Sequence, residues 1–128
     1  MEILIVDCNE DMLILFGQKF RKEIKANILN FSFFDSGEST LEYINSDRES
    51  PALVLILSDI GLPGISGTQL LEILKSKHRE IKVFTIDGIG SDRSRTLLTN
   101  LRADYYFNKP IQLELIKTKI LQLRKILG

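Results

Sequence analysis

Three aspartates and one lysine stand out by where they fall. Asp7, Asp59 and Asp87 each close an apolar run: Ile3-Leu4-Ile5-Val6, Leu53-Val54-Leu55-Ile56-Leu57-Ser58 and Ile81-Lys82-Val83-Phe84-Thr85-Ile86. Lys109 closes a fourth, Tyr105-Tyr106-Phe107-Asn108. One acid at the end of a strand is often only a loop cap. Three on adjacent strands would crowd, and crowded carboxylates repel unless a cation compensates. Lys109 supplies one positive charge, and a divalent metal would supply more. Open α/β sheets hold their ligands and chemistry at this place, beyond the carboxyl ends of the strands.

The elements that carry these residues alternate in period. Glu2 to Asp7 is a short β-branched run. Met12, Leu13, Leu15, Phe16, Phe20 and Ile24 then recur at helical spacing and are expected to face the core. Ile28 to Phe34 reads as a second strand. A helix from Ser36 or Gly37 through Ile44 follows, with Glu38 suited to its positive end. Ser46 to Pro51 is a polar loop. Leu53 to Leu57 is apolar throughout, as expected of a strand covered on both faces. Gly61, Pro63, Gly64 and Gly67 form a loop before a helix over Gln69–Lys77, which is expected to bury Leu70, Leu71, Ile73 and Leu74. Ile81 to Ile86 is the fourth strand. A fourth helix, capped by Ser91 or Asp92, carries Leu97, Leu98 and Leu101. Tyr105 to Asn108 is the fifth strand, and a last helix near Gln112–Leu127 carries Leu115, Ile116, Ile120, Leu123 and Leu127 on one stripe. Alternation of this kind means right-handed βαβ units. The expected fold is a single doubly wound α/β domain over residues 1–128, a flavodoxin-like (βα)5 unit with a parallel sheet in the order 2-1-3-4-5.

Composition sets outer bounds. The 128 residues are 44% hydrophobic and 27% charged, which excludes a disordered or collagen-like chain. No apolar run approaches the roughly 18 residues that span a bilayer. No basic stretch followed by an apolar one opens the chain, and the lone cysteine, Cys8, fits a reducing compartment. A cytoplasmic location is expected. Net charge is zero but uneven: residues 1–60 hold eleven acids and five bases, and residues 61–128 hold six acids and twelve bases. The basic excess lacks the density and aromatic interleaving of a nucleic-acid site. A flavodoxin-like nucleotide or FMN binder would need phosphate donors after the first strand. Asp7-Cys8-Asn9-Glu10-Asp11 is acidic instead.

Three motifs carry a resemblance. They are Ile3-Leu4-Ile5-Val6-Asp7, then Ser58-Asp59-Ile60-Gly61-Leu62-Pro63-Gly64 with Gly67, then Tyr106-Phe107-Asn108-Lys109-Pro110. In type and spacing the chain resembles the receiver domain of two-component response regulators over essentially its whole length. The resemblance implies that Asp59 accepts a phosphoryl group from a histidine kinase, helped by Lys109. It also implies that Mg²⁺ is held by Asp7, by Asp59 and by the Gly61 carbonyl. Such a reaction brings anion to anion, so charge neutralisation and in-line positioning do most of the work. No enzymatic activity of its own and no organic cofactor is expected.

Two positions depart from the family. Cys8 stands where the family places a second acid on the metal, and hard cations prefer oxygen to sulfur. Mg²⁺ is therefore expected to bind weakly or not at all, and Cys8 is expected as a packed, inert residue. Asp87 stands where the family has Thr or Ser. The hydroxyl donates to the phosphoryl group, whereas an ionised carboxylate only accepts. Thr85, about 7 Å back along the strand, is not expected to substitute. Tyr106 retains the switch aromatic. Two readings stay open. Asp87 can take over metal binding, with Asp59 still phosphorylated; or an Asp87–Lys109 ion pair fixes one conformation, and the domain works by protein contacts without phosphorylation. The second is preferred, because a lost ligand and a lost donor affect separate steps. With no further domain in the sequence, output is expected through binding, to a histidine kinase or another signalling protein. The expected surface, also open to a homodimer, is the face of helix 4, strand 5 and helix 5, with Arg93, Arg102, Lys117 and Tyr106.

Overall fold

Strand β1 (Glu2–Val6) forms because four consecutive apolar residues, Ile3 to Val6, can all be buried between two layers of helix. β2 (Asn30–Phe34) and β3 (Val54–Asp59) flank it, β4 (Lys82–Asp87) lies beyond β3, and β5 (Tyr105–Asn108) closes the far side. All pairings are parallel and the order is β2-β1-β3-β4-β5, as expected. The helices are α1 (Asp11–Lys19), α2 (Arg21–Lys25), α3 (Gly37–Asn45), α4 (Gly67–Lys77) and α5 (Leu113–Leu127). This is a computed structural model, and it describes residues 1–46, 54–62, 64–87, 97, 99–108 and 112–127. Lys109, Arg93 and Arg95 lie outside those residues, as does most of the expected fourth helix, of which 97, 99 and 100 are helical. Among the described residues, no helix is long and apolar enough to cross a membrane.

Side-chain alternation splits the core in two. Ile3, Ile5, Leu55, Leu57, Phe84, Ile86 and Phe107 face α1 and α5, meeting Met12, Phe16, Phe20, Ile116 and Ile120. Leu4, Val6, Ile56 and Val83 face α3 and α4, meeting Ile44, Leu70, Leu71 and Leu74.

Several expectations need correction. The first helix is interrupted at Phe20 (φ −105°, ψ 23°), which separates α1 from α2. Leu13, Leu15 and Ile24, expected inside, are exposed, and the core takes Met12, Phe16 and Phe20. Met12 to Phe16 is apolar at all five positions, so composition alone could not single out the buried face. β2 starts at Asn30 rather than Ile28. Asn27 takes a left-handed φ of 57° after α2, and the amides of Ile28 and Leu29 donate back to the Glu23 carbonyl. That turn delays the strand, and Asn is one of the few residues that tolerates it. Ile73 and Leu123 are half-buried, and Leu115 is exposed. Lys117 does not join a basic face with Tyr106. It pairs with Glu23 at 3.1 Å, donates to the Lys19 carbonyl and lies over the Phe20 ring, so it ties α5 to α1 and α2.

At the other end of the sheet, Asp104 precedes β5 and gathers three donors. It pairs with Lys75 of α4 at 2.5 Å, accepts from the Val83 amide at 2.7 Å and has Lys82 at 3.9 Å.

Candidate functional site

The acids sit where the strand ends place them. Val6 is level with Ser58, so Asp7 and Asp59 follow side by side at the carboxyl edge. Each continues the alternation that turns Ile5 and Leu57 toward α1 and α5, so they share that face. Both are buried, 4% and 5% exposed. Each also has one oxygen tied into the loop after it. The Asn9 amide donates to Asp7 Oδ1 at 2.8 Å, and the Gly61 amide donates to Asp59 Oδ1 at 3.0 Å. These local turns are what Asp residues form readily. They hold the two carboxylates at the mouth of the sheet.

Asp87 reaches the same edge from the other side. Asp59 is level with Ile86, so Asp87 lies one residue further along and alternates with Val83 and Thr85. It is 2% exposed. Tyr106, level with Thr85, packs half-buried against the same cluster. Asp87, Tyr106 and Ser58 therefore share one face, and Asp7 and Asp59 the other. Thr85 lies deeper: fully buried, its hydroxyl has no hydrogen-bond partner among the described residues.

Cys8 corrects an expectation. It is exposed, not packed. It lies two residues past the end of β1, in the loop that leads to α1.

Asp7, Asp59 and the Gly61 carbonyl are oxygen donors of the right kind for Mg²⁺, which commonly keeps several waters beside one or two carboxylates. The thiol at position 8 is the wrong donor. Among the described residues, no group of three or more His, Cys, Asp or Glu comes together to hold a metal ion. The donor set falls short of a three-acid site.

The loop after Asp59 is held by residues whose roles the sequence reading missed. α4 starts at Gly67, not Gln69, because Ser66 accepts from the Gln69 amide while the Gln69 side chain accepts from the Ser66 amide. This capping box is legible as Ser-x-x-Gln. Gly67 donates to the Ile60 carbonyl, and a Cβ there would lie 2.3 Å from Ile60 Cα and 2.4 Å from the Asp59 carbonyl oxygen. Glu38, expected only to suit the start of its helix, crosses from α3 and accepts from the Ile65 amide at 2.6 Å. Gly64, at φ 70°, leaves room for that carboxylate.

Comparison with known proteins agrees with this arrangement. Residues 3–121 match the response regulator receiver domain family. A cyclic di-GMP phosphodiesterase of Thermotoga maritima is 28% identical over 94% of this chain, and the chemotaxis protein CheV2 of Helicobacter pylori is 26% identical over 77%. The chain spans 30% of the length of each. Among solved structures, the receiver domain of a Francisella response regulator superposes with a TM-score of 0.82 at 20% identity, covering 99% of this chain and 98% of its own. A CheY-like receiver domain protein from Methanospirillum hungatei reaches 0.79 at 26% identity, with 99% and 98% covered. Receiver domains bind Mg²⁺ during phosphorylation and engage histidine kinases and other signalling proteins. With its sheet order, its edge acids and this match together, the chain belongs to the response regulator receiver domain family of two-component signalling.

Proposed function

We propose that this receiver domain is atypical, impaired in Mg²⁺-dependent phosphorylation at Asp59, and acts through protein contacts. The observation that carries the reading is Asp87, buried at the end of β4 where the family has a hydroxyl donor. A carboxylate there repels an incoming phosphoryl group and competes for Lys109, since it accepts hydrogen bonds and donates none. Cys8 compounds this by withholding an oxygen from the metal. Asp59 keeps the phosphoacceptor position and Asp7 keeps one metal ligand. Tyr106 remains as the switch aromatic, now facing an acid. Output goes through the surface around β5 and α5, where Tyr105, Tyr106, Asn108, Gln112 and Leu115 line a cavity of about 260 Å³. A signalling protein docks there.

The test is incubation with acetyl phosphate and Mg²⁺, followed by intact mass, with Asp59→Asn as control. The wild type is expected to gain little or no phosphoryl adduct. Cys8→Asp combined with Asp87→Thr is expected to gain one that Asp59→Asn abolishes. A stoichiometric adduct on the wild type would instead favour the reading in which Asp87 compensates for the lost acid.

A further inference from the structure

The open edge of the sheet at β2 has features that the phosphoacceptor site does not use. Asn30-Phe31-Ser32-Phe33-Phe34 carries no charge and no proline, the usual guards of an edge strand. In a parallel ladder, alternate residues bond to one neighbour. The Asn30 amide donates to Met1, and the Phe34 carbonyl accepts from Asp7. Asn30, Ser32 and Phe34 therefore face β1, and the amides and carbonyls of Phe31 and Phe33 point outward.

Above this edge lies an apolar flank of α1 and α2. Lys19 pairs with Glu114 and Glu23 with Lys117, which fixes the flank that faces α5. At the helical repeat of 3.6 residues, Leu13, Ile14, Gly17 and Ile24 fall on the opposite flank, over β2. Leu13, Ile14 and Ile24 are 46%, 59% and 37% exposed. Leu13 and Ile14 line a groove of about 570 Å³ with Phe33 and Phe34. Between these residues Gly17 costs the helix about 1 kcal/mol relative to Ala, yet a Cβ there would meet nothing within 4 Å among the described residues. Packing inside this chain does not ask for a glycine.

We propose that two copies of this chain join through β2, antiparallel, about a two-fold axis at Ser32. That register sets Phe31 opposite Phe33 of the other copy, twice, and each pair exchanges both outward hydrogen bonds. The Phe31 ring sits against Phe16 and Phe20 at 5.9 and 5.0 Å, so Gly17 lies level with the middle of β2. The two α1–α2 segments then cross near Gly17, where a missing side chain allows close approach. Charge selects a second copy as the occupant. Glu10 and Asp11 begin the segment, Arg21, Lys22 and Lys25 end it, and all five are exposed. In the antiparallel pair the acidic end of one copy meets the basic end of the other, and the arrangement is self-complementary, as a two-fold interface requires.

Analytical ultracentrifugation at low salt is expected to show a concentration-dependent dimer. Gly17→Arg places a charge at the crossing in open space and should raise the dissociation constant at least about tenfold, with the far-ultraviolet circular dichroism unchanged. Glu10→Lys with Asp11→Lys should weaken the dimer in the same way, and adding Arg21→Glu with Lys22→Glu to that chain should restore it. Hydrogen exchange at the Phe31 and Phe33 amides should slow as concentration rises. A wild type that stays monomeric at every concentration overturns the proposal. So does a dimer indifferent to Gly17→Arg and to the charge exchange, which would place the contact on another surface or leave the groove to a different partner.

Discussion

Gly67 rests directly on the backbone of Asp59: a Cβ at position 67 would lie 2.4 Å from the Asp59 carbonyl oxygen. The first turn of α4 is thus the floor under the candidate phosphoacceptor. Gly67→Ala must push either α4 or the end of β3 aside, and overpacking of this kind costs about 1–3 kcal/mol. Denaturant unfolding should show that loss. Gly61→Ala is the control, since among the described residues its added carbon would meet only Asp59 Oδ1, at 3.6 Å, and should change stability little.

The cap that starts α4 can be weakened without touching the floor. Ser66→Ala removes the acceptor for the Gln69 amide. Loss of an N-cap typically costs about 1 kcal/mol, and urea unfolding midpoints should report it.

Two fully buried threonines make opposite predictions. Thr40 donates to the Ser36 carbonyl at 2.8 Å, whereas the Thr85 hydroxyl has no partner among the described residues. Thr85→Val removes an unsatisfied polar group at nearly constant shape, and should be neutral or stabilising by up to about 1 kcal/mol. Thr40→Val breaks that bond while the Ser36 carbonyl keeps the Thr40 amide and the Ser39 hydroxyl as donors, so about 0.5–1 kcal/mol should be lost. Parallel thermal melts distinguish the two.

Asp104 should be among the costliest polar side chains to remove. Asp104→Ala leaves Lys75, 14% exposed, with the Ile81 carbonyl but without its acid, and the Val83 amide without its carboxylate acceptor. Hydrogen bonds to charged groups are worth about 1.5–3 kcal/mol. A loss of about 2 kcal/mol is expected, and Asp104→Asn should recover part of it through the Val83 bond.

Much of this was legible in the chain. Asp7, Asp59 and Asp87 could be placed because each ends an apolar run, and a parallel sheet brings such ends to one edge. That β1, β3 and β4 lie inside the sheet was legible from their apolar centres, Ile3–Val6, Leu55–Leu57 and Val83–Phe84, since buried strands need no polar face, and the doubly wound template gave the order. The flank of α1 was not legible: five consecutive apolar residues carry no period. Lys117 looked like surface charge because its partner, Glu23, is remote in sequence and meets it only through packing of α5 on α2. Cys8 looked like a core residue by type, yet it falls in the loop two residues past the end of β1, where it is exposed.

The Asp104 cluster also sets where the domain is free to loosen. It joins α4, β4 and the approach to β5 at the amino-terminal end of the sheet, opposite the acids. Fluctuations that part β4 from β5 should then begin at Asp87 and Asn108 and die out before Val83, like a zipper pinned at one end. Slow opening would be confined to the half of the sheet that carries the acids, and the other half would serve as its hinge.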